Sequence, residues 1–262
     1  MTVGHRIYSG TIMAALALAA LAMVVPLPQS SLMVHADLAI VIIMATLNIG
    51  AASLFIYGLR EYKAEMRKAY LAFASGIFVL AFATLQVAVL VALSLDNSSY
   101  ARGIGIVLPF LLTGLLIYVG VRRFSRLVGV HSWLTKATLV IPGVIILSAL
   151  SSLLPHVPGH PSPEMELDFS VGILFWITLL NMVSALIISQ VNRRIGAHYV
   201  KALTLLQTFL FGSGIVSMVA VVINLTIADG NESALTITHV LSVALACVAL
   251  RAGYEFSKTE AY

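Results

Sequence analysis

Charge and cysteine are both scarce in this sequence. Only 10% of its 262 residues are Asp, Glu, Lys or Arg, while 60% are hydrophobic. An ordinary soluble domain carries roughly 25% charged residues, so the composition excludes a soluble globular protein. The mean hydropathy of +1.01 makes lipid the solvent. A single cysteine, Cys247, sits inside an apolar run. One cysteine excludes an intramolecular disulfide and a thiolate metal cluster. Recognisable catalytic patterns are missing too: there is no Gly-rich phosphate loop, HExxH, CxxC or Ser/His/Asp order. Nothing in the sequence argues for an enzyme, and the reading is of a non-catalytic chain.

Repeated apolar runs of about 18 residues or more are present, each long enough to cross the ~30 Å hydrocarbon core of a bilayer. They predict an all-α, polytopic transmembrane helical bundle with about eight spans, near 8–27, 38–59, 70–94, 104–121, 136–154, 169–190, 202–226 and 235–251. The N-terminal run overlaps the pattern of a signal peptide, but no small-x-small site follows its apolar core, so it reads as a retained first helix. Fourteen of the 15 Lys and Arg residues fall on one set of alternating loops and termini; the other set holds only Arg102. The positive-inside rule then places both termini in the cytoplasm of a multi-pass plasma-membrane protein. It also accounts for the basic pI near 9.3 without nucleic acid.

Residues 1–262 read as one integral membrane domain, built of four helical hairpins on one reading. Arg60, Arg122, Arg193 and Arg251 each close an even-numbered span, at separations of 62, 71 and 58 residues. Duplicated hairpins would produce this spacing, and so would the interfacial arginine that any inward-going helix end acquires. The second explanation is the simpler.

None of the eight spans has an interior Asp, Glu, Lys or Arg. Ion- and proton-coupled transport needs ionisable groups in the membrane, so their lack argues against both and against a retinal protein, which needs a mid-helix lysine. The polar residues within the spans are Asn48, Gln86, Asn181, Gln207, Asn224 and His239. Such side chains commonly bond one helix to another at about 1 kcal/mol or less each; a solute-lining role for Asn48, Gln86, Asn181 and Gln207 is the alternative. His239 has no second intramembrane histidine, so no b-type haem pair is evident. It reads as a hydrogen-bonding residue near the outer end of the last helix.

The most polar run, HVPGHPSPEMELD, lies on the outer side. With His35 and Asp37 it supplies His156, His160 and Glu164 as a candidate divalent-metal set, imidazole and carboxylate being suitable ligands. Pro155, Pro158, Pro161 and Pro163 break the helix that would put both imidazoles on one face. The plainer reading is a stiff connector that starts the sixth span, with Ser162 as N-cap and Pro163 at the first helical position.

Three functions fit. The first is a subunit or anchor of a larger membrane complex, in contact with lipid and with other membrane subunits or further copies of itself. The second is a transporter or channel for a neutral small solute. The third is a membrane sensor module without an output domain of its own.

Overall fold

The computed structural model describes residues 3–25, 32–61, 64–92, 100–130, 163–195, 197–226 and 232–258. Apart from short turns at 23–25, 128–130 and 193–195, these residues are helical: α1 (Val3–Ala22), α2 (Leu32–Gly58), a 3-10 turn (Leu59–Glu61), α3 (Ala64–Ala92), α4 (Tyr100–Leu127), α5 (Pro163–Asn192), α6 (Ala197–Thr226) and α7 (Glu232–Lys258). Six of the seven helices are long and apolar enough to cross a membrane. The expected span at 136–154, with Pro142, lies outside the described residues.

Apart from α1, which is shifted rather than lengthened, the helices run longer than the spans read from hydropathy, because hydropathy marks only the part that lies in hydrocarbon. Two of the corrections fall at the ends of the chain. The first helix ends at Ala22 rather than 27, before Pro26, which disfavours helical backbone at the residue preceding it. The last continues through Lys258 instead of stopping near 251. Pro163 does open α5, as its preset φ favours. At the end of α4, Gly129 takes a left-handed conformation (φ +72°). Gly129 N donates to Arg126 O at 3.1 Å and Val130 N to Ser125 O at 2.9 Å, which satisfies the last carbonyls of the helix.

Packing closes six helices into a ring in the order α2, α3, α4, α5, α6, α7 and back to α2, with α1 outside against α2 and α7. Most neighbours are antiparallel, but two seams are parallel. Along α4 and α5, Gly114 meets Leu180, and Arg194 Nη1 donates to Gly129 O at 3.1 Å just past their C-terminal ends. Along α2 and α7, Asp37 meets His239 at one end and Phe55 meets Phe256 at the other. Val130 and Pro163 therefore stand at opposite ends of the bundle, and residues 131–162 connect those ends.

Helices already in lipid gain little from burial, so association depends on close packing. A Cβ on Gly120 would stand 3.0 Å from Ala69 O, and one on Gly253 3.0 Å from Ala51 O. Both glycines let backbones approach where a side chain would not fit. Phe55, Tyr70, Phe73, Phe124 and Phe256 are fully buried around this end of the ring, with Tyr70 edge-on to Phe73, Phe124 and Phe256. Large apolar side chains such as Met13, Ile56, Phe78, Phe82 and Val240 point outward, as lipid contact requires.

The same end collects basic residues. Glu255 is 11% exposed and meets Arg251 at 2.7 Å, Lys201 at 3.3 Å and Lys258 at 3.6 Å. Arg251 also lies over Tyr8 and Tyr254, so one carboxylate and two rings tie α1, α6 and α7 together.

Candidate functional site: a cavity inside the ring

A cavity of about 230 Å³ lies inside the ring, and all six ring helices line it. Its walls are mostly apolar, from Met44, Leu80, Phe110, Ile177, Phe209 and Leu245 among others. Polar groups come from Asn48 and Asn181 and from the hydroxyls of Thr84, Thr113, Ser213, Ser217, Thr238 and Ser242. Among the described residues no Asp, Glu, Lys, Arg or His lines it. Asn48 is twelve residues before Arg60, and Asn181 twelve before Arg193. At ~1.5 Å per residue both amides lie about 18 Å from the basic end, near mid-bilayer.

Several wall hydroxyls spend their proton on their own helix. Thr84 donates to Ala81 O at 2.8 Å, Thr113 to Pro109 O at 3.0 Å and Ser242 to Thr238 O at 2.8 Å. Each oxygen keeps lone pairs. Asn48 is 2% exposed and its Oδ1 has no protein hydrogen-bond partner. A buried carbonyl left in that state costs about 1–3 kcal/mol. The wall thus offers acceptors, with amide N–H donors beside them, in a space smaller than the ~300 Å³ at which drug-sized pockets begin. This chemistry suits a small, neutral molecule rich in donors.

No protein-family model, curated protein or solved structure matches this chain. The cavity's own chemistry therefore carries the functional argument.

The polar residues singled out from sequence divide. Asn48 and Asn181 both line the cavity, whereas Gln86, Gln207 and His239 are absent from its wall. Gln86 Oε1 is buried without a partner elsewhere on α3. His239 Nδ1 lies 3.9 Å from Asp37 Oδ1 at the end of the bundle opposite the basic cluster. His35 Nδ1 donates to Ala22 O at 3.1 Å, tying α2 to α1. Among the described residues no three His, Cys, Asp or Glu side chains form a metal-sized group. His156 and His160 lie outside the described residues, as does the side chain of Glu164. The wall hydroxyls were missed because Ser and Thr inside a helix usually bond back to their own backbone. Their signal was a shared face with the asparagines, visible only once the helices are placed.

Proposed function

We propose that this chain passes a small neutral polar solute across the membrane through the ring cavity. The observation that carries this reading is a mid-bundle cavity whose described lining combines Asn48, Asn181 and several hydroxyls and holds no charged residue. An anchor or subunit needs no such cavity, which is why solute passage takes precedence over those roles. The lack of charge favours a neutral solute and disfavours ions, which need compensating groups inside the membrane.

The wider reading is an eight-span plasma-membrane protein with both termini in the cytoplasm. What supports eight spans is the thirty-two-residue connection, 131–162, that joins opposite ends of the bundle. What supports the orientation is the gathering of Arg and Lys at one end. The test is osmotic re-swelling of proteoliposomes in the polyol erythritol: the purified chain speeds it, and Ala246→Phe, which places a ring in the cavity, abolishes the gain. An unchanged rate in the variant would contradict passage by this route.

A further inference from the structure

The ring can be read twice. A shift of 131–134 residues carries the bounds of α2, α3 and α4 onto those of α5, α6 and α7. Between Met44 and Gly58 ten positions of α2 are buried; 133 residues on, between Ile177 and Val191, the same ten and no others are buried in α5. In α3 the exposed positions 67, 68, 71, 78, 82 and 85 recur in α6 as 200, 201, 204, 211, 215 and 218. In α7 every buried residue from Ala246 to Phe256 is the counterpart, at a shift of 132, of a buried residue in α4.

Residue identities follow the same shift: Leu47-Asn48 with Leu180-Asn181, Arg60 with Arg193, Lys68-Ala69 with Lys201-Ala202, and Phe124-Ser125 with Phe256-Ser257. Ser125 donates to Arg122 O and Ser257 to Tyr254 O, in each case three residues back. Any two amphipathic helices share a period. Sharing one near-constant shift across three helices, with their ends and interfacial cations, is what a tandem copy produces. The shift also carries α1 onto residues 136–155, the apolar stretch read from sequence as a fifth span.

The copies are related by rotation about the bundle axis, because α2 and α5 run in the same direction and stand opposite each other in the ring. The cavity lies between them. Asn48 answers Asn181, Thr84 answers Ser217, and Met44 answers Ile177 in its wall. Elsewhere the halves have diverged, with Leu80 opposite Ser213 and Thr113 opposite Leu245.

We infer that the chain is a tandem duplication of one four-span unit, and that its cavity is a pseudo-two-fold site in which Asn48 and Asn181 hold one short polyol from opposite sides. This rests on the reading of the cavity as a solute site. A short polyol suits the wall because it presents similar hydroxyls toward both ends. Its O–H groups meet the amide and hydroxyl acceptors, and its C–H faces meet Met44 and Ile177.

The test uses the full chain in liposomes with erythritol as probe. Asn48→Ala and Asn181→Ala each slow protein-dependent re-swelling by about five- to tenfold, the effect of losing one hydrogen bond. The double variant falls to the protein-free rate. Thr84→Val and Ser217→Ala, milder changes at a second matched pair, slow passage by equal factors and guard against a folding defect in the amide variants. If one member of each pair matters and its counterpart stays within about twofold of wild type, the site is one-sided and the two-fold proposal falls while the cavity reading stands. If wild type gives no erythritol passage above protein-free liposomes, the solute reading itself falls, and the two-fold site with it.

Discussion

Asn48 and Asn181 occupy one register of two helices that face each other across the ring, each twelve residues before an arginine and each buried in the same cavity wall. Amides that only glue helices together are satisfied by those helices, whereas Asn48 Oδ1 has no partner. Asn48→Leu separates the two roles. It removes a buried, unsatisfied group, so thermal unfolding in detergent should show unchanged or raised stability, by about 1–2 kcal/mol, while erythritol passage slows by about five- to tenfold. A clear fall in Tm would assign Asn48 to helix–helix bonding.

Close approach at the glycines makes a second prediction. Gly120→Ala places a methyl 3.0 Å from Ala69 O and against the Phe73 ring. Backbone cannot yield as a flexible side chain can, and overpacking of this kind costs typically 1–3 kcal/mol. Gly10 on α1 has nothing within 4 Å of an added Cβ, so Gly10→Ala should be neutral or stabilising by up to about 1 kcal/mol. Parallel thermal scans of the two variants check this; equal shifts would contradict the packing described.

Glu255 is the third case. One carboxylate faces Arg251, Lys201 and Lys258, and Glu255→Gln leaves the three cations to repel one another. Since the cations are 38–65% exposed, solvent screens much of the effect, and about 1–2 kcal/mol is expected. The loss should shrink in high salt. A salt-independent change would mean that Glu255 acts through packing alone.

Orientation is tested with Cys247 replaced by Ser. Val24, beyond the end of α1, and Arg126, in the last turn of α4, lie at opposite ends and are both exposed. An impermeant maleimide added to intact cells should label Val24→Cys and leave Arg126→Cys unlabelled until the cells are opened. The reverse pattern would invert the topology.

The helices and their basic ends were legible because both follow from local sequence: apolar length sets the spans, and interfacial Arg and Lys mark the ends. Asn48 and Asn181 could be singled out because an amide stands out against Leu and Ala. Gln86 and Gln207 stood out equally, and only the rotation of α3 and α6 in the ring separates them from the wall. The duplication was partly in view in the spacing of Arg60, Arg122, Arg193 and Arg251. Read one hairpin at a time, those separations are irregular. Read two hairpins at a time, Arg193 follows Arg60 by 133 residues, the shift at which the burial patterns of α2 and α5 coincide. Pairing of the parallel seams, α4 with α5 and α7 with α2, has no local signal, because it depends on how distant helices close the ring.

Solute selectivity tests the central claim most directly. In liposomes carrying the wild-type chain, erythritol should equilibrate faster than in protein-free liposomes while sodium, chloride and proton leak stay at background, as a cavity walled by amides, hydroxyls and apolar groups requires. Ion passage, or erythritol entry no faster than through lipid alone, would contradict it.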